Sequence, residues 1–344
     1  MAIIPGKNIL EKIDLKDRKI LYQLDLNCRQ SNTQIGKKIG LKKDVVGYRI
    51  KRMEEAGVIK GYWTNIDSYK FGYEVYRYYI VFQNVTSDIK NEIIEQLINY
   101  KNTWVVRSIK GLYDISLVLW VDSIPKFYRF WDEFNEKFGD YFAEKIFSVY
   151  LQDDSYPSSY LLLDGYEKSD RDKYKQTTGG EPVVIDDIDY KLLNYIVENA
   201  RIPLIELSEK LDCSSQAANY RIKNLVKKGV IQAFRVNIDV QKFGLQEFKV
   251  DIWLKKLSKR RQISDCIKYN PYVTFISTSA GYADLEVVFT TEDSDKLIEL
   301  LEDVFSKFPG AVRKYIYWAS KKTYKFRCMP EIDFKSILCD KRTK

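Results

Sequence analysis

The chain has 344 residues, 45% of them hydrophobic and 30% charged, which is material for two to four domains with real cores. It has no histidine, its five cysteines (Cys28, Cys213, Cys266, Cys328, Cys339) form no Cys-x-x-Cys pair, and no apolar run approaches the about 20 residues that span a bilayer. These counts weigh against a disulfide framework, a metal centre, a membrane protein and an enzyme using a neutral-pH proton shuttle, whereas the net charge of +8 points mildly to a polyanionic partner.

From the N-terminus, Ile20, Leu21 and Leu24 mark the buried face of a first helix. Ser31, Asn32 and Thr33 are capping residues that lead into a short second helix, marked by Ile35 and Ile39. After the turn "GLKK", Val46, Ile50 and Met53 line a third helix, and Gly57 stands where a helix stop favours a left-handed residue. The extended stretch "VIKGYWTNID" follows, closed by "KFG". Strand "YRYYIVFQNV", a helix over 88–99, strands "TWVVRSIKG" and "DISLVLWVD", a helix over 125–138 and strand "EKIFSVYLQ" come next. Residues 164–182, "DGYEKSDRDKYKQTTGGEP", are polar and nearly free of aliphatics, so they read as a flexible linker reaching roughly 25 Å.

Beyond this segment the same order returns. Leu192, Leu193 and Ile196, then Leu207 and Leu211, then Ala218, Ile222 and Leu225 mark three helices, with Pro203 at the start of the second and Gly229 after the third. "VIQAFRVNID" and a second "KFG" lead into "FKVDIWLKKL", a helix near 260–268, "VTFISTSAG", "ADLEVVFTT", a helix over 293–308 and "VRKYIYWASKKT". "YRIKRMEEAGVI" and "YRIKNLVKKGVI" begin at Tyr48 and Tyr220, and the two regions overlay without a gap from Asp17 to Gly72. The chain is a tandem duplication. Three short helices followed by a strand make a helix-turn-helix head, and βαββαβ is the ferredoxin-like order. The expected fold is therefore α+β: winged-helix-like helix-turn-helix heads at 13–66 and 185–238, and ferredoxin-like βαββαβ domains at 67–163 and 239–330.

With "YRIK", "GVI" and the following βαββαβ in place, each copy resembles the Lrp/AsnC (feast/famine) transcriptional regulators. The resemblance covers nearly the whole chain, twice. It implies a cytoplasmic regulator that binds double-stranded DNA without a cofactor and responds to a small effector such as an amino acid. It also implies pairing, here between the two copies of one chain, and assembly into a higher homo-oligomer.

In a helix-turn-helix, the third helix enters the major groove. In copy one Lys42, Lys43, Asp44, Gly47, Tyr48 and Lys51 fall on the face opposite Val46, Ile50 and Met53, with Arg49 and Arg52 flanking it. Copy two has Ser214, Ser215, Gln216, Asn219, Tyr220 and Lys223 at equivalent positions, beside Arg221. Lysine and arginine suit phosphates, whereas glutamine and asparagine bond adenine edges in two places. Copy one is expected to grip and copy two to read. The turns "GLYD" and "GYAD" match a Gly-x-x-Asp turn near which the family's effectors bind, which makes Gly111, Asp114, Gly281 and Asp284 effector candidates; the plainer reading is a hairpin turn. Aromatic clusters such as "YEVYRYYIVF" are expected to pack cores and interfaces more than to stack on bases.

Two other functions compete. Sirohaem decarboxylases resemble the same architecture as two related subunits, but that resemblance implies histidine in the active site. An architectural DNA-binding protein without an effector is the third reading.

Overall fold

The heads form as their caps and apolar spacing dictate. In the computed structural model, which describes residues 13–165, 174–177 and 181–330, α1 (Leu15–Leu26) starts on Asp14 in a reciprocal capping box with Asp17. Ser31 and Gln34 do the same for α2 (Asn32–Ile39). α3 (Lys43–Glu55) lays Val46, Ile50 and Met53 against Ile20, Leu21, Leu24, Ile35 and Ile39, all buried. Gly57, at φ 67°, takes the left-handed turn into β1 (Ile59–Ile66).

The regulatory half follows as β2 (Glu74–Phe82), α4 (Ser87–Asn99), β3 (Thr103–Lys110), β4 (Ile115–Val121), α5 (Ile124–Phe138) and β5 (Phe142–Ser155). Inside the segment expected to be a flexible linker, β6 (Tyr174–Thr177) instead pairs with Gln152–Ser155. Residues 166–173 and 178–180 of that expected linker lie outside the described residues. Copy two repeats the order: α6 (Asp187–Glu198), α7 (Leu204–Lys210), α8 (Ser215–Lys227), β7 (Ile231–Ile238), β8 (Gln246–Leu254), α9 (Arg260–Ile267), β9 (Val273–Ala280), β10 (Leu285–Thr291), α10 (Ser294–Ser306) and β11 (Val312–Phe326).

Each four-stranded antiparallel sheet has the ferredoxin-like order, β5-β2-β4-β3 in copy one and β11-β8-β10-β9 in copy two. The last strands are longer than the sequence suggested, and the extra length joins the copies. β5 pairs with β2 through its first half and with β9 from Val149 to Ser155. β11 does the same with β8 and then with β3 from Ala319 to Phe326. The eight strands close into one ring with no free edge among them.

The heads also interlock. β1 and β7 pair antiparallel, with Trp63 opposite Arg235. α1 packs on β7 and α6 on β1, so each head rests on the other copy's strand. The Thr64 hydroxyl donates to the Ile196 carbonyl at 2.6 Å, and the Cys28 N–H donates to Phe234 O at 2.8 Å. Asp25 and Arg235 form a buried two-bond ion pair across this seam at 2.7 and 2.9 Å. The aromatic clusters pack as expected: Tyr76, Tyr78, Phe127, Phe134 and Phe138 are buried between copy one's sheet and its helices.

Candidate DNA-binding interface

The third helix of each head presents one face to solvent because the opposite face is fixed by the head's core. On α3, Lys42, Lys43, Asp44, Tyr48 and Lys51 are exposed and Gly47 is half-buried. A Cβ at Gly47 would come within 2.9 Å of the Asn32 amide, so glycine lets α2 approach closely here. On α8, Ser214, Gln216, Tyr220 and Lys223 are exposed, and Asn219 is half-buried. Tyr48 and Tyr220 are 68% and 70% exposed, so a large ring stands in solvent at the same place in both copies.

The flanking arginines are ion-paired within each head. Arg49 bonds Asp14 and Asp17 at 2.8 Å each, and Arg52 also pairs with the fully buried Asp17. Arg221 holds Asp186 and Asp189 in the same way, at 2.8 and 2.7 Å. Burial pushes the Asp14 carboxyl up, but the Asp17 backbone N–H and the Arg49 guanidinium together outweigh it and hold the group below its ordinary value. The hydrogen bonds that Arg49 donates to Asp17 and Asp14 raise it in turn. These arginines clamp the third helix to the first within each head. Two serines are likewise engaged: Ser214 caps α8 by accepting from the Ala217 N–H at 3.1 Å, and Ser215 shares a 3.0 Å bond with Ser208. The exposed groups left on α3 and α8 are Lys42, Lys43, Asp44, Tyr48 and Lys51 on one head and Gln216, Tyr220 and Lys223 on the other.

The two Gly-x-x-Asp turns sit where one copy's sheet meets the other's last strand. Gly111, at φ 144°, leaves its Cβ position 3.0 Å from the Trp318 side chain, and Gly281, at φ 96°, is 3.3 Å from Phe147 O. Both glycines admit the ring-closing strands. The Asp114 carboxylate accepts from the Phe82 N–H at 2.9 Å, and Asp284 accepts from the Leu254 N–H at 2.7 Å.

Sequence reasoning missed a constellation inside the ring. Arg77 on β2 and Lys249 on β8 both bond Glu286 on β10, and Arg77 Nη2 lies 2.7 Å from its Oε1. Burial would raise Glu286, but the Arg77 and Lys249 charges win and hold it at about 2. Beside this triad Asp251 is fully buried, and burial pushes it up to about 6. A signal was available: "VYRYYIVF", "FKVDIWL" and "DLEVVF" each place a charge inside an apolar strand.

A winged helix-turn-helix DNA-binding family profile matches residues 13–60 and 185–232, covering both heads. An uncharacterized HTH-type transcriptional regulator of Pyrococcus furiosus is 30% identical over 123 residues, 36% of this chain and 82% of that protein. The chain belongs to the Lrp/AsnC family of transcriptional regulators. The HTH-type transcriptional regulator LrpA of Pyrococcus horikoshii is 24% identical over 130 residues, 38% of this chain and 92% of LrpA. Each such alignment takes up little more than a third of this Lrp/AsnC chain, the length of one copy. The siroheme decarboxylase NirDL aligns over 95% of this chain and 99% of its own, with a TM-score of 0.58 at 13% identity. That likeness is one of fold. Among the described residues, no helix is long and apolar enough to cross a membrane.

Proposed function

We propose that this Lrp/AsnC regulator binds an asymmetric DNA site through two unlike heads on one chain, copy one gripping phosphates and copy two reading bases. One observation carries the reading. Within a frame whose strand pairings match copy for copy, the exposed third-helix faces share a tyrosine (Tyr48, Tyr220) and a lysine (Lys51, Lys223) but differ at their starts, with Lys42, Lys43 and Asp44 on one head and Ser214 and Gln216 on the other. A small effector, an amino acid by the family resemblance, would act at the Gly111–Asp114 and Gly281–Asp284 turns, where a shift in either copy is felt by the other's last strand. Higher assembly of chains and a cytoplasmic location belong to the same reading.

The test is selection of bound duplexes from a random pool, followed by titration at several salt concentrations. With about six phosphates neutralised, affinity should fall roughly a thousandfold between about 50 and 200 mM salt. A flat salt response would overturn the reading. Binding without any enriched sequence would leave an architectural protein in its place. The decarboxylase reading is favoured by the NirDL fold likeness across both copies; a tetrapyrrole absorbance band in the purified protein would establish it.

A further inference from the structure

The duplication supplies an internal control for every position of the ring. Trp120 pairs with Val75 in copy one as Thr290 pairs with Glu247 in copy two, and Arg107 faces Thr323 as Ser277 faces Asp153. By these registers Trp104, Trp120, Val75 and Tyr150 correspond to Thr274, Thr290, Glu247 and Ser320, and Tyr69 corresponds to Gln241. On copy one's side the space beneath the heads is filled. Trp104 and Trp120 stack at 5.5 Å and 6°, and Val75, Tyr69 and Tyr150 are buried in the same core. On copy two's side the five smaller or polar residues line an open cavity of about 570 Å³.

That volume lies within the roughly 300–1,000 Å³ of small-molecule sites. The lining is not that of a packing fault, because a void walled by polar and charged groups is unfavourable unless water or a ligand satisfies them. Most of its charges are already matched. Arg235 is bonded to Asp25 at 2.7 Å, Lys60 lies 3.5 Å from Asp239, and Arg107 lies 3.9 Å from Glu247. Lys321 and Lys322 are exposed on the rim, and neither forms an ion pair among the described residues. Their copy-one counterparts are Leu151 and Gln152, so this surplus of positive charge exists only where the cavity exists. Apolar contact is available from Phe275 and from Trp63, which meets Phe326 edge-on at 5.6 Å.

We infer that the cavity is a binding site for a small organic anion: a carboxylate paired with Lys321 and Lys322, carried on an apolar body that rests against Trp63, Phe275 and Phe326. The walls come from both wing strands and from the ring. An occupant therefore touches the heads and the regulatory domains at once, and its binding is thermodynamically linked to any head movement that DNA requires.

Binding is measured first without DNA, so failure of the cavity and failure of the DNA-binding reading give different results. The full chain is titrated calorimetrically with matched probes: a panel of aliphatic and aromatic monocarboxylates and dicarboxylates, their neutral amides and the corresponding amines. Carboxylates should bind, with amides and amines at least tenfold weaker. The double variant Thr274→Trp, Thr290→Trp rebuilds the ring pair that copy one already accommodates, and it should abolish binding. Lys321→Glu with Lys322→Glu, both on the surface, should weaken carboxylate binding at least tenfold with an unchanged melting temperature, which keeps the test decisive if the tryptophan variant fails to fold. Binding of no carboxylate, preference for amines, or affinity indifferent to the lysine reversal would each overturn the inference.

Discussion

Positions that agree between the copies and positions that differ do different work. Arg49 and Arg221 are identical because both clamp acidic residues of the first helix of their head. Asp44 and Gln216 differ where both side chains are exposed and neither is tied into its head's own core. Lys43→Ala and Lys51→Ala should therefore weaken binding to all duplexes about equally. Gln216→Ala and Asn219→Ala should relax base preference, each lost contact removing about 1–3 kcal/mol of discrimination. The same selection run on each variant checks this, and the reverse pattern would exchange the roles of the heads. Asp251 offers a second test at this scale. Its folded-state value of about 6 lies above the ordinary 3.8, so the fold favours the neutral acid. Its stabilising contribution is complete below about 3.8 and is lost as pH rises through about 6. Urea denaturation from pH 4 to 7 should show the native chain losing stability relative to Asp251→Asn as pH rises; parallel curves would show that Asp251 does not titrate in that range.

Helices and strands were legible because their periodicity is written in side chains: Ile20, Leu21 and Leu24 on one helix face, and alternation along "YRYYIVF". The pairings that unite the copies were not. β3 with β11, and β9 with β5, are joined by backbone hydrogen bonds between segments far apart in sequence, and such bonds leave no pattern in residue type. The ion triad is a side-chain trace of that closure, since Arg77 belongs to copy one and Lys249 and Glu286 to copy two. Removing Glu286 takes from the two buried cations the one carboxylate that both bond. Glu286→Ala should cost roughly 3–5 kcal/mol, seen as a lower urea midpoint, whereas Glu299→Ala on the exposed face of α10 should cost little. Equal, small effects from both would mean that water reaches the ring interior.

A symmetric pair of heads selects a palindrome, because a two-fold axis in the protein imposes one on the DNA. Fusion of two unlike copies removes that constraint. The half-sites, about one helical turn or roughly 34 Å apart, should differ in sequence, with the stronger base preference under α8. A flexible linker alone would join the heads only as a tether, but the fold joins them in other ways. β1 pairs with β7, the ring closes through β3–β11 and β5–β9, and Asp25–Arg235 bridges the seam, so the copies stay joined whether or not the chain between them is continuous. A protease site inserted within 166–173 and then cleaved should leave two fragments that co-elute on size exclusion. The cleaved protein should protect the same asymmetric footprint, with affinity within a few-fold of the intact chain. Fragments that separate, or that re-pair like with like and protect a palindrome, would show that covalent linkage, rather than the shared ring and the crossed wing strands, holds the two copies in register on DNA.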